Sequence, residues 1–249
     1  EDAKDFDDAV FCKKKNDQWV LSVAIADVAS IVKTGSKIDE AARQRGTSIY
    51  FPAKVLPMLP EEISNNLCSL VPNEKRNVLV CKIAFNSSGH IQSYNFFEAI
   101  IKSHLRATYD SVEELIKKNG LVSAKIQNSV NALRELTKTL INNRSQRGAL
   151  ELDSNEPILK LDKLGQIKSI KNTKRLFSHL MIEESMLAAN ICAAKFMCKN
   201  FGFGIYRIHE EPEDLKIDTL KQFFASKGLS LGSNNDSLKI INQCLNFSI

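Results

Sequence analysis

The acidic side chains at the beginning of the sequence are the residues best suited to chemistry. Residues 1–8 contain five acids and one lysine, although the protein carries a formal net charge of +5. The carboxylates of three of these acids, Asp5, Asp7 and Asp8, are close together in sequence. They therefore repel one another unless a cation lies between them. Hard divalent ions such as Mg²⁺ take oxygen ligands from a few protein carboxylates, from water and from substrate phosphate. Because a bound Mg²⁺ polarises a phosphate and acidifies water, the cluster indicates phosphodiester hydrolysis.

Two other interpretations of the acidic run were weighed against a magnesium site. A short run of acids at a chain end is often solvated surface, and composition alone does not separate that case from a metal site. A calcium loop of the EF-hand type is excluded, because the run lacks the central glycine and the terminal glutamate that such a loop requires.

The acidic run leads into a first half of the chain that is mainly β. Four segments are rich in Val, Ile and aromatic residues and are predicted to be strands, namely 9–15, 18–26, 76–85 and 91–102. Polar turns at 16–17 and 86–89 join them into two antiparallel hairpins. Between the hairpins we predict a helix at 36–45 that ends at Gly46, an extended piece at 47–51 and a proline-punctuated loop.

The second half of the chain is mainly helical. After Tyr109 the apolar residues recur about every 3.6 positions, which predicts helices at 111–118, 124–144, 177–200 and 215–227. Of these, 177–200 is the clearest candidate for an amphipathic helix. Residues 157–170 are predicted to be extended and 205–208 to form a short strand. The fold class that follows is α+β, one domain with a β-rich first half and a helical second half.

Composition excludes several classes of protein. Hydrophobic residues make up 43% and charged residues 25% of the chain, which excludes a disordered or fibrous protein. No stretch reaches the roughly 18 apolar residues of a membrane-spanning helix, so we expect no membrane partner. The six cysteines are scattered without metal-ligand spacing, which favours free thiols and a cytoplasmic location. The positive net charge is compatible with a polyanionic partner.

Five stretches of the sequence carry a resemblance to a known family. They are, in order, EDAKDFDDAVF, WVLSVAIADV, ARQRGTSIYFP, LPMLPEEISNNLCSL and RIHEEP. This ordered set resembles the RNB catalytic domain of the ribonuclease II and ribonuclease R family, and the long third and fourth stretches are closer to the ribonuclease R branch. The resemblance implies a Mg²⁺-dependent, processive exoribonuclease of mixed α/β fold. Such an enzyme threads single-stranded RNA from its 3′ end to a buried site and releases nucleoside 5′-monophosphates.

The resemblance also implies roles for individual residues. Asp5, Asp7 and Asp8 match the last three of four acids in the family site. Asp8 is then a direct Mg²⁺ ligand, Asp5 a ligand or a holder of water, and Asp7 the residue that activates the attack. Tyr50 matches the aromatic residue that stacks on the 3′-terminal base, and Glu184 matches a residue beside the terminal ribose.

Other positions depart from the family pattern. Leu152 stands where relatives usually carry a phenylalanine that stacks opposite the tyrosine, so we expect weaker holding of the RNA end. The pattern places the first acid before Glu1, and a downstream SPIRRY-like segment and flanking cold-shock and S1 modules outside residues 1–249. We therefore expect a partial catalytic domain with weak or no hydrolysis. The alternatives are an RNA-binding module without catalysis and, less favoured, a DNA nuclease or phosphatase.

Overall fold

The computed structural model describes residues 4–51, 54–118, 121–150, 157–162, 165–172, 175–229, 231 and 236–247. Its strands are Asp8–Lys15 (β1), Gln18–Ala26 (β2), Ile49–Phe51 (β3), Lys54–Leu56 (β4), Lys75–Phe85 (β5), Ile91–Lys102 (β6), Pro157–Leu161 (β7) and Ile167–Asn172 (β8). Its α-helices are Lys37–Arg45 (α1), Tyr109–Lys117 (α2), Ala124–Gln146 (α3), Phe177–Phe201 (α4), Asp214–Ser226 (α5) and Ser237–Phe247 (α6). The predicted α+β class, with strands first and helices second, is confirmed.

The central element is a four-stranded antiparallel sheet with the strand order β1-β2-β5-β6. Both predicted hairpins are present in it. Asn16 and Asp17 between β1 and β2 have φ values of 49° and 57°. Two successive positive φ values are the geometry of a tight hairpin turn, and Asn and Asp tolerate it better than other residues with side chains.

Each face of the sheet has its own apolar core. Leu21 and Ile83 belong to a core with Leu136 of α3 and Met181 of α4 on one face, which we call the helix face. On the opposite face, other strand residues pack with residues of the connection between β4 and β5: Ala24, Ala26, Val78 and Val80 with Ile63, Cys68 and Leu70. The segment that carries Cys68 and Leu70 is therefore held against the end of the sheet at which β1 begins.

Several predicted elements are wrong in detail. The loop after 47–51 contains β4, which pairs with β3, and a π-helical turn at Glu62–Leu67. Residues 157–170 do not form one extended piece, because β7 turns back onto β8. Residues 205–208 are not a strand, since no strand in the described ranges pairs with them and Ile208 is 79% exposed. The helix α6 was not predicted.

The helix α4 also differs from its predicted amphipathic character. Small and polar residues occupy much of its buried face, among them Ser178, Glu184 and Ser185. Apolar residues are exposed on it instead, including Leu187, Ile191 and Phe201. The small residues Ala188, Ala189 and Cys192 belong to the core of the helix face. Small side chains at these positions allow α4 to pack close to the sheet.

Candidate active site

The acidic segment is fixed to the sheet by backbone hydrogen bonds before β1 begins. The amide of Ala26 donates to the carbonyl of Asp7 at 2.9 Å, and the amide of Leu70 donates to the carbonyl of Phe6 at 2.9 Å. The buried hydroxyl of Ser69 accepts from the amide of Phe6 at 3.0 Å and donates to the carbonyl of Lys4 at 2.6 Å. The backbone that carries Asp5 and Asp7 is therefore held on two sides, by β2 and by residues 69–70.

Two of the three predicted acids have pKa values above the ordinary value of an aspartate. Partial loss of solvent, and then the negative charges of Asp5 and Asp8, raise the pKa of Asp7. Partial burial also raises the pKa of Asp8. A nearby cation would relieve the repulsion and favour the ionised carboxylates. Asp7 and Asp8 are thus partly desolvated, and Asp5 and Asp8 lie close enough to Asp7 for their negative charges to disfavour its ionised form.

The donor set suits Mg²⁺, but it is not a preassembled cage. Among the described residues, no three His, Cys, Asp or Glu side chains are gathered in a way that could hold a metal. Mg²⁺ keeps several waters and is usually bound through only a few carboxylates together with substrate phosphate. Asp5 and Asp8 could therefore hold the ion, and RNA would supply the remaining oxygen ligands.

An uncovered strip of the sheet lies beside Asp8. Cross-strand pairing places Asp8 opposite Ile25, Ile25 opposite Leu79, and Leu79 opposite Glu98. Side chains alternate along a strand, so Ile25 shares the helix face with the buried Leu21 and Val23. Ile25 is nevertheless 40% exposed and Leu79 is 44% exposed. Asp8 thus borders an apolar surface that α3 and α4 leave partly open.

A cavity of about 220 Å³ lies beside the end of β2 and the beginning of β5. It is lined by Asp27, Ile31, Leu67, Cys68, Lys75, Arg76 and Asn77. Burial, followed by the charges of Asp27 and Asp7, raises the pKa of the Cys68 thiol. The cavity wall also contains two basic residues, Lys75 and Arg76, that the sequence pattern did not single out.

Tyr50 lies on the hairpin formed by β3 and β4. Its side chain is 68% exposed, so a base could stack on it. Hydrogen bonds hold the base of the hairpin, since Arg45 Nη1 donates to the carbonyl of Met58 at 3.1 Å and the amide of Met58 donates to Ser48 Oγ at 2.9 Å. In the part of the chain that the structure describes, no hydrogen bond joins Tyr50 to Asp5, Asp7 or Asp8.

Glu184 is buried on α4 and takes part in an ion-pair cluster. Only 5% of the residue is exposed, and its Oε1 lies 3.2 Å from Arg144 Nη1 of α3. Arg144 also donates to Glu183 Oε1 at 2.9 Å, and Glu183 pairs with Arg175 as well. The carboxylate of Glu184 is therefore buried and paired with Arg144. Leu152, the remaining predicted site residue, lies outside the described residues.

Known proteins provide an independent comparison. The sequence profile of the RNB domain matches residues 1–248. A protein named ribonuclease R from Vibrio parahaemolyticus is 42% identical over 235 residues, which cover 93% of this chain and 28% of that protein. The structure of Mycoplasma genitalium RNase R with double-stranded RNA matches with a TM-score of 0.92 at 32% identity, over 99% of this chain and 45% of that one. The same enzyme with ribose-methylated single-stranded RNA gives a TM-score of 0.91 at 32% identity, over 99% and 39% of the respective chains.

These matches establish the class of protein: the chain belongs to the RNB domain family. Its similarity to proteins named ribonuclease R confirms the resemblance of the sequence motifs. The chain spans less than a third of the length of the Vibrio relative. No helix in the described ranges has the apolar length of a membrane span, and all six cysteines are free.

Proposed function

We propose that this RNB domain chain hydrolyses RNA from the 3′ end as a processive, Mg²⁺-dependent exoribonuclease in the cytoplasm and releases nucleoside 5′-monophosphates. The observation that carries the proposal is the fixed acidic segment, in which backbone hydrogen bonds from the amides of Ala26 and Leu70 hold the residues that lead into Asp8 and β1. Family membership and similarity to structures of RNase R with RNA support an RNA substrate.

Asp5, Asp7 and Asp8 have different roles in the proposed hydrolysis. Asp5 and Asp8 hold the metal, while Asp7 orients the attacking water and accepts its proton. Mg²⁺, when bound, polarises the scissile phosphate and supplies positive charge where negative charge develops.

Other residues hold the RNA end. Tyr50 stacks on the terminal base, a contact worth about 1 to 3 kcal/mol that does not depend on base identity. Leu152 packs on the opposite side of the base with less overlap than a phenylalanine would give. Glu184 is the residue proposed to lie beside the terminal ribose, and its carboxylate is buried and paired with Arg144 in this structure.

A second function, RNA binding without catalysis, is favoured by one specific observation. The described carboxylates form no preassembled group of three that could hold a metal. We therefore expect the 249-residue chain alone to bind Mg²⁺ weakly and to hydrolyse RNA slowly.

Single-turnover hydrolysis with the protein in excess tests the proposal. The substrate is a single-stranded RNA labelled at its 5′ end, with Mg²⁺ present, so that stepwise shortening from the 3′ end is visible. We expect the wild type to shorten the labelled RNA stepwise, and Asp7→Asn to do so about a hundredfold or more slower. Asp17→Asn is the matched control, because Asp17 is an exposed acid in the β1–β2 turn. Equal rates for Asp7→Asn and wild type would overturn the mechanism, and RNA binding without any release would favour the second function.

A further inference from the structure

The side chain of Ser69 joins two distant parts of the chain. It is fully buried, with 0% of the residue exposed. Its hydroxyl donates to the carbonyl of Lys4 at 2.6 Å and accepts from the amide of Phe6 at 3.0 Å. The two bonded groups lie immediately before and after Asp5. A single hydroxyl therefore fixes the backbone on both sides of an acid that we assign to the metal.

Ser69 is itself held in place. Arg76 Nε donates to the carbonyl of Ser69 at 3.0 Å and to the carbonyl of Asn66 at 3.0 Å. The side chain of Arg76 is only 14% exposed. The next residue, Leu70, donates its amide to the carbonyl of Phe6 at 2.9 Å. The hydroxyl consequently has a fixed position relative to β5. Through its two hydrogen bonds it also fixes the backbone on both sides of Asp5.

The position of the Lys4 to Phe6 backbone depends on one atom, the hydroxyl oxygen of Ser69. Loss of the hydroxyl would leave the Phe6 amide and the Lys4 carbonyl without this partner near the edge of a packed core. A buried polar group that loses its hydrogen bond costs much more than a typical hydrogen bond contributes, so the segment would move to regain water. Movement of the Lys4 to Phe6 backbone displaces the Asp5 carboxylate relative to Asp7 and Asp8.

We propose that Ser69 is a positioning residue of the acidic site, which sets the place of Asp5 and thereby the affinity for the metal without touching metal or RNA. The inference rests on the proposed function only in its second part, the consequence for Mg²⁺. Its first part, the fixing of the backbone around Asp5, is measurable without any metal.

Amide hydrogen exchange of the metal-free chain tests the first part. In Ser69→Ala we expect the amides of residues 5–8 to exchange about tenfold or more faster than in the wild type. The matched control is Ser185→Ala, since Ser185 is 1% exposed and its hydroxyl donates only within α4, to the carbonyl of Met181 at 2.7 Å. That control should leave exchange at residues 5–8 unchanged. Unchanged exchange in Ser69→Ala would overturn the inference.

Calorimetric titration with Mg²⁺ alone tests the second part. We expect Ser69→Ala to weaken the apparent affinity by about tenfold, Ser185→Ala to match the wild type, and Ser69→Thr to recover most of the loss because it restores the hydroxyl. Wild-type affinity in Ser69→Ala would overturn the role in metal binding. If the wild type binds no Mg²⁺ while exchange in Ser69→Ala is accelerated, the proposed metal site fails and the positioning of the segment stands.

Discussion

Arg144 and Glu184 form an ion pair 3.2 Å apart across the contact between α3 and α4. The Glu184 side chain is 6% exposed and the Arg144 side chain 17% exposed, so water screens the pair weakly. The pair lies close to the C-terminal end of α3, shortly before the segment that carries Leu152. It thus joins the C-terminal part of α3 to α4, which carries Glu184.

Removing the arginine alone should be costly. In Arg144→Gln the buried carboxylate of Glu184 loses a cationic partner, and breaking a buried pair in this way costs about 3 to 5 kcal/mol. Glu184→Gln in the same chain should restore part of the stability, since the uncompensated charge is then gone. Urea unfolding of the two single variants and the double variant measures the coupling. Additive effects in this cycle would contradict a direct interaction between the two side chains.

The same cluster predicts how stability depends on pH. Partial burial opposes ionisation of Glu183, but hydrogen bonds from Arg144 and Arg175 outweigh it and hold the pKa of Glu183 below its ordinary value of 4.5. A carboxyl with a lowered pKa in the folded state stabilises the fold above that ordinary value, and the contribution disappears as the pH falls through the folded-state pKa. The free energy of unfolding of the wild type should therefore exceed that of Glu183→Gln at neutral pH. The difference should shrink below about pH 4.5, and a difference independent of pH would refute the assignment.

Tyr50 should contribute to RNA affinity through its ring. We expect Tyr50→Ala to weaken binding of a single-stranded RNA by about 5-fold to 150-fold, the range that follows from loss of a stacked base. Tyr50→Phe should bind nearly as well as the wild type. Phe51→Ala is the matched control, because Phe51 is similarly exposed on the same strand but on its opposite face. Fluorescence anisotropy in EDTA measures binding without hydrolysis, and equal losses for the two alanine variants would exclude a specific stacking face.

Leu152→Phe should strengthen the holding of the RNA end. An aromatic ring offers a larger stacking surface to the terminal base than an aliphatic side chain does. The gain should depend on Tyr50, which faces the same base in our proposal. Affinity for RNA measured with and without Tyr50→Ala checks this, and a gain of the same size in both backgrounds would show that the two residues do not share a base.

Local signals account for the parts of the fold that the sequence predicted. The β1–β2 hairpin follows from two segments rich in Val, Ile and aromatic residues and from Asn16-Asp17, which accept positive φ values. The start and end of α1 follow from Ser36, whose hydroxyl accepts from the amide of Asp39, and from Gly46 at φ 73°. In each case the decisive interaction lies within a few residues, which is why a pattern in the sequence reveals it.

Interactions between distant residues account for what the sequence did not show. Ser69 acts on Lys4 and Phe6 across more than 60 positions, and no local pattern marks its hydroxyl as part of the site. Burial of Glu184 depends on Arg144, which lies 40 residues earlier on another helix. The isolated segment at 205–208 has strand propensity but lacks a partner strand within the described ranges, so propensity alone misassigned it.

Direct observation of a metal at the acidic cluster is the most direct test of the account. Mn²⁺ can replace Mg²⁺ at an oxygen site and gives an anomalous diffraction signal. In crystals grown with Mn²⁺ and a single-stranded RNA, we predict an anomalous peak about 2.0 to 2.2 Å from carboxylate oxygens of Asp5 and Asp8, bridged to an RNA phosphate. Ordered RNA with no peak at these carboxylates, or with the metal bound elsewhere, would contradict the account.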